Sequence, residues 1–175
     1  MAGTLTVQNL QGPSSGVNAN KIIVPSGQTI DASAGTLVPS AGAVVQQVEY
    51  FNDTSFNTSS TSYVSTLASV VITPKYSNSK MFIQVYGGTH SDSYHGIRGS
   101  IRKNNAAFSY SDQADLINYQ HDGNHPRGHP VAVATIDNNV GTTNAVTYAY
   151  YIKSQDGTAA YFYRNFGIVV QEIKQ

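Results

Sequence analysis

Cysteine and tryptophan are absent from this chain, only 11% of its residues are charged, and the first 43 residues contain no aromatic side chain. Without cysteine there is no disulfide, no thiolate metal site and no cysteine nucleophile. Acids and bases cancel at ten each and form no basic run. Neither a nucleic-acid groove nor an anionic membrane surface therefore has a counterpart here. No stretch approaches the 18 or so apolar residues of a membrane-spanning helix, so membrane insertion is not expected. The opening MAGTLTVQNLQG has neither a positively charged region nor a continuous apolar run, and a soluble protein made without a Sec-type export signal is the expectation.

The aromatic residues are unevenly placed. Twelve Tyr and six Phe all lie from Tyr50 onward, and residues 1–43 carry only two charges, Lys21 and Asp31. Such a segment buries too little apolar area to offset about 1 to 2 kcal/mol of backbone entropy per residue. It reads as an extended arm or stalk over residues 1–43 that needs a partner, followed by a head domain over residues 44–175. Within the arm, Ile23-Val24-Pro25-Ser26-Gly27 recurs as Leu37-Val38-Pro39-Ser40-Ala41, a short extended piece before a Pro-containing turn. Sparse aliphatics of this kind can pack along a symmetry axis, where three copies supply the core that one lacks, so a homotrimer is expected. A plain linker is the alternative for this composition.

Helical signals are nearly missing, because Glu, Lys, Leu and Met are scarce and apolar residues do not recur at spacings of three and four. Alternation predicts strands over 68–73 with Ala68, Val70 and Ile72 on one face, over 81–86 with Met81, Ile83 and Val85, and over 131–136. Residues 144–153 alternate Val146, Tyr148, Tyr150 and Ile152; 159–163 and 167–173 form a C-terminal pair; 44–51 and 96–103 are further strands. Ser154-Gln155-Asp156-Gly157 is expected to close a hairpin, since Asp-Gly supplies the positive backbone angles that tight turns require. Tyr76-Ser77-Asn78-Ser79 and Asn104-Asn105 read as further turns. About eight short strands of this pattern predict an all-β fold, an antiparallel jelly-roll-like β-sandwich head; a monomeric barrel is the alternative.

Chemistry-bearing motifs are few. Three imidazoles lie four residues apart in His121-Asp122-Gly123-Asn124-His125-Pro126-Arg127-Gly128-His129, but Pro126 and the glycines forbid the helix that would align them, and HExxH is absent. A loop of unliganded histidines is expected over a zinc, nickel or iron site, so no metal and no cofactor are assigned. The only glutamates are Glu49 and Glu172, so a glycosidase pair would have to come from loop aspartates such as Asp92, Asp112, Asp115 or Asp122. There is no GxSxG elbow, and Gly87-Gly88-Thr89 lacks the lysine of a phosphate loop. No catalytic residue is assigned, and an enzyme is not expected. Loops read over 87–95 and 108–129 gather Tyr94, Tyr110 and Tyr119 with His90, His95 and His121. Aromatic faces beside short polar side chains suit sugars or polar protein surfaces, which makes Tyr94, Tyr119 and His121 the candidate binding residues. Packing of the same loops on a neighbouring subunit is the structural alternative.

The opening Gly3-Thr4-Leu5-Thr6-Val7-Gln8-Asn9-Leu10-Gln11-Gly12-Pro13, with Asn18-Ala19-Asn20-Lys21-Ile22 and Val24-Pro25-Ser26-Gly27-Gln28-Thr29, resembles the N-terminal segments of small virion proteins of tailed bacteriophages, especially marine and cyanobacterial ones. Ser69-Val70-Val71-Ile72-Thr73-Pro74, the turn Ser77-Asn78-Ser79-Lys80 and the ending Val170-Gln171-Glu172-Ile173 are similar to the β-sandwich heads attached to them. The resemblance implies a homotrimeric fibre, spike or decoration protein located in the virion, and carries no site residues across. A short tail fibre, a head fibre and a capsid decoration (cement) protein that stabilises the shell all fit the size; a polysaccharide-degrading tailspike would normally be longer. The arm would attach to a phage coat or tail protein through isolated aliphatics such as Leu5, Val7 and Leu10, and the head would project, with host-surface glycan as its ligand.

Overall fold

The computed structural model describes residues 11–19, 21–30, 38–91, 96–107 and 129–175. Leu5, Val7, Leu10, Tyr94, Tyr119 and His121 lie outside these residues. The chain divides into two units, Met1–Val38 and Pro39–Gln175.

In the first unit, Gln28 N donates to Pro25 O at 3.1 Å. This closes a turn in which Gly27 has φ 81°, a left-handed angle that glycine adopts without a Cβ penalty. Among its described residues the aliphatics Val17, Ile22 and Ile30 are exposed.

Among its described residues the second unit is all-β, with nine strands: β1 Val44–Asn52, β2 Phe56–Thr58, β3 Val64–Ile72, β4 Lys80–Ser91, β5 Ile97–Lys103, β6 Ala106–Ala107, β7 His129–Asp137, β8 Val146–Ser154 and β9 Ala160–Ile173. They form two antiparallel sheets. Sheet A has the order β1-β9-β4-β7 with β2 added to β9; sheet B has the order β3-β8-β5-β6. Strands that follow one another in sequence mostly alternate between the sheets, which is the jelly-roll ordering expected from the strand pattern. The predicted alternation holds: Ala68, Val70 and Ile72 on β3 and Met81, Ile83 and Val85 on β4 are all buried in one core. Tyr148, Tyr150, Phe162 and Phe166 fill its centre.

Four local readings are corrected by the structure. The turn at 154–157 does occur, with Gly157 at φ 88°, but it is not a hairpin, because it carries the chain from β8 in sheet B to β9 in sheet A. The C-terminal pair of strands is one continuous strand, β9, with an irregularity where Gly167 and Tyr163 face Tyr86 and Gly88. Two extra residues are accommodated there, and Asn165 takes φ 65°, a left-handed angle that asparagine tolerates better than most residues. The loop read over 87–95 starts later, since β4 runs to Ser91. Gly87 lies within β4, at a close approach that requires glycine, since a Cβ there would lie 2.6 Å from Phe166 Cβ and 2.9 Å from Phe162 Cε2. The fourth correction concerns residues 39–43, read with the arm: Gly42 N donates to Lys174 O at 2.8 Å, Lys174 N to Ala43 O at 3.0 Å and Lys174 Nζ to Pro39 O at 2.7 Å, which ties them to the end of β9. The Asn104-Asn105 turn, with φ 50° and 65°, is a true hairpin between β5 and β6, as the primed turns demand.

The sandwich thus has a near end, where the chain enters beside Lys174, and a far end, where β4 finishes beside the start of β9. Ser91 pairs with Ala160 there, and Thr89 with His129.

Candidate recognition site

The far end carries an aromatic row on the outer face of sheet A. Along β9 the side chains alternate, so with Phe162 buried in the core, Tyr161 and Tyr163 point to the opposite face. His90 on β4 is paired with Tyr161. The two tyrosine rings are nearly parallel, 12° apart with centroids at 5.9 Å. The His90 ring sits at 5.7 Å from Tyr161 and 5.6 Å from Tyr163. His90 is almost buried and Tyr163 is 39% exposed, so the row has a packed base and an accessible edge. Two rigid aromatic groups held by a strand offer flat apolar faces at little conformational cost, with phenol oxygens beside them to hydrogen-bond.

Sequence reasoning placed His90 in a binding loop and took Tyr161 and Tyr163 only as strand residues. The signal for them was present: in a Tyr-Phe-Tyr alternation one parity must face away from the core once the other is inside. Tyr94, Tyr119 and His121 fall outside the described residues, so they are not placed against the row.

A second cluster lies on the outer face of sheet B. The Arg102 guanidinium sits 4.8 Å from the Tyr63 ring centroid and 4.9 Å from that of Tyr151, and Lys153 Nζ is 4.8 Å from Tyr63. Tyr151 Oη donates to Asn105 Oδ1 at 2.6 Å. These cation–π contacts hold Tyr63, just before β3, against β5 and β8, which is a structural role.

The buried carboxylates have structural roles as well. Glu172 is fully buried at the near end and accepts from Lys75 N at 2.9 Å, Tyr76 N at 3.0 Å, Ser79 Oγ at 2.7 Å and Gln46 Nε2 at 2.6 Å. Burial pushes its pKa upward, but these donors outweigh burial and hold the carboxyl below its ordinary 4.5, so it stays ionised without a cation. It fastens the turn between β3 and β4. Asp137 on β7 accepts from Tyr148 Oη and Lys103 Nζ, each at 2.6 Å. Burial first, then the Asp137 contact, pushes the Tyr148 phenol upward, so it remains a neutral donor. Glu49 and Glu172 come from neighbouring strands, but Glu49 is exposed and Glu172 buried, so they do not form a catalytic pair. Among the described residues no group of three His, Asp or Glu side chains could hold a metal ion; residues 121–128 of the histidine-rich stretch lie outside them.

No family model matches the chain, and no curated protein matches it. Among solved structures it is similar to dimeric latent PorU from Porphyromonas gingivalis at 13% identity, over 77% of this chain and 14% of that one, with a TM-score of 0.33. The chain thus spans a small part of that protein's length, and a likeness at this level carries nothing over to its function.

Proposed function

We propose that the chain is a structural component of a phage virion, a short fibre or spike whose N-terminal segment attaches to a coat or tail protein and whose β-sandwich head binds host-surface glycan. The phage assignment rests on the sequence resemblance. The observation that carries the division of labour is the polarity of the head: the chain enters at Pro39, tied to Lys174, whereas the His90, Tyr161 and Tyr163 row lies at the other end of β9, a strand of 14 residues. At about 3.3 Å per residue that separation is roughly 40 Å, enough to keep an attached end and a presenting end independent. The exposed aliphatics Val17, Ile22 and Ile30 support a segment that completes its packing on other chains. In this reading the protein is no enzyme, requires no cofactor and acts as a homotrimer.

Gold-labelled antibody against the head, viewed on particles of the phage that encodes the chain, tests the proposal. Label on the tail is the expected outcome, label over the shell would establish a decoration role instead, and particles devoid of the protein would overturn both.

A further inference from the structure

The outer face of sheet A is unusually poor in charge for a surface. Strand register sets its side chains in cross-strand rows. One row runs from Phe51 on β1 through Gly167 on β9 to Tyr86 on β4; another places Phe82 on β4 directly opposite Ile136 on β7. Between them, Glu49 is the one charged residue among the outward positions of 47–51, 82–86, 132–136 and 167–171. Phe51 is 60% exposed and Ile136 43% exposed. Gly167 is a low point in the face: the Tyr86 ring lies across it, and a Cβ there would come within 2.5 Å of Tyr86 Cζ and 2.7 Å of Tyr50 O. Tyr86 is thereby laid flat, beside a standing, exposed Phe51. An aromatic that projects next to a shallow floor is a knob and a seat on the same surface.

The size of the face suits a protein partner. Four strands about 4.8 Å apart and, over five residues each, about 17 Å long give a flat centre on the order of 330 Å²; the remaining lengths of the strands, where Lys80 adds an outward charge, and the standing side chains enlarge it toward the roughly 800 Å² per partner of a standard interface. A contiguous apolar face of a few hundred Å² marks an interaction surface on a soluble protein. Charge points to the occupant. A groove for a foreign coat protein or an anionic sugar would be expected to carry matching charges, whereas a nearly neutral face with amides around its aromatics is self-complementary: two copies can bury it with one carboxylate each to keep at the rim. Gln171 Nε2 donates to Gln47 Oε1 across the strands at 2.7 Å, which meets one donor and one acceptor of this face and leaves the other amide groups to pair with the facing copy.

The geometry points to the outer face of sheet A as the surface on which copies of this chain associate, with Phe51, Phe82, Tyr86 and Ile136 as its anchors. A face buried against its own copy is a twofold contact, so the inference goes beyond the homotrimer of the proposed function and does not rest on it; it is measured on the purified full-length chain without any phage and stands or falls independently of the virion assignment. Light scattering at micromolar concentration should give an even-numbered oligomer for the native sequence and half that mass for Phe51→Lys with Ile136→Lys, at an association constant for the twofold contact weakened by about 100-fold or more. Both positions are exposed, and an unchanged circular dichroism spectrum verifies the fold. Persistence of the oligomer in the double variant overturns the inference, as does a monomeric native chain. Because the chain has no cysteine, a second measurement is independent of those variants. Gln84→Cys, at the centre of the face, should react with a thiol reagent at least about tenfold more slowly than Val71→Cys on the outer face of sheet B, in keeping with exclusion of water from an interface core. Equal reactivity overturns the inference, and protection of Gln84→Cys only on assembled particles would assign the face to another virion protein.

Discussion

The Tyr148 phenol on β8 donates a 2.6 Å hydrogen bond to the Asp137 carboxylate on β7, joining sheet B to sheet A through the core. Two residues further along the same strand, Tyr150 is equally buried, and its hydroxyl has no hydrogen-bond partner among the described residues. The two tyrosines therefore respond oppositely to removal of one oxygen. Tyr148→Phe should cost about 1 to 3 kcal/mol, because the carboxylate loses a charge-assisted partner in a desolvated place. Tyr150→Phe should be neutral or stabilising, since it relieves a buried unsatisfied donor. Urea unfolding of the two variants measures both effects. Equal losses for the two Tyr→Phe variants would contradict the hydrogen-bond assignment.

Glu172 gives the head a defined acid sensitivity. Its folded pKa lies below the ordinary 4.5, so the ionised form is favoured by folding. The stabilisation is present above the unfolded pKa and is lost as pH falls through the folded value. Glu172→Gln should lower the melting temperature at pH 7, because the four donors around the site then face a neutral group that itself brings unneeded N–H donors. The gap between native and variant should narrow as the pH is taken below about 4.5. Melting curves from pH 7 to pH 3 read this directly, and a gap independent of pH would show that the carboxylate charge is not what matters.

What the sequence made legible, and what it hid, follows from the range of each interaction. Strand alternation is local, so the core faces of β3 and β4 could be read from Ala68, Val70 and Ile72 and from Met81, Ile83 and Val85. Which sheet a strand joins is not local. Ser154-Gln155-Asp156-Gly157 announces a reversal of direction, and nothing within it says that β8 pairs with β3 and β5 while β9 pairs with β1 and β4. Gly87 and Asn165 looked like interruptions for the same reason. Their purpose, seating Phe162 against Phe166 with rings 4.3 Å apart, becomes visible only when β4 lies beside β9. Of the candidate site, His90 was recognised by composition alone, whereas the Tyr161 and Tyr163 pair required knowing that Phe162 points inward. Glu172 was read as a lone acid in a strand, because its donors at Gln46 and at residues 75–79 are distant in sequence.

The proposed glycan recognition assigns the contact to the aromatic row. Alanine at Tyr161 or Tyr163 removes a partly exposed ring while leaving Phe162 in the core, so the head should still fold and its binding to host cells should weaken about tenfold or more, as for an aromatic anchor. Alanine at Tyr94, Tyr119 and His121 extends the test to the neighbouring sequence candidates. Binding of fluorescent head to host cells, with and without competing surface polysaccharide, is the measurement. Unchanged binding in Tyr161→Ala and Tyr163→Ala would remove the row as a receptor site, and release of oligosaccharide by the native protein would replace recognition with depolymerisation.

The N-terminal segment, rather than the head, should determine incorporation into particles. Leu5, Val7 and Leu10 are isolated aliphatics in a stretch without charge before Lys21. Such a segment can add to a sheet edge or lie in a groove of a coat or tail protein, gaining backbone hydrogen bonds there and meeting its ordering cost on binding. The strands of the head begin only at Val44, and the residues that tie its near end together, Pro39, Gly42 and Ala43 with Lys174, all lie beyond residue 38. Deleting residues 1–11 should therefore leave the head's melting temperature unchanged and abolish its incorporation into virions. With no charge in the deleted stretch, attachment of the intact protein should vary little between 0.05 and 0.5 M salt, concentrations over which the Debye length falls from roughly 14 to 4 Å. Gel analysis of particles assembled with truncated and intact protein, washed at both salt concentrations, gives the answer. Normal incorporation of the truncated chain would place the attachment surface on the sandwich itself, and strong release by salt would require charged contacts that this segment does not possess.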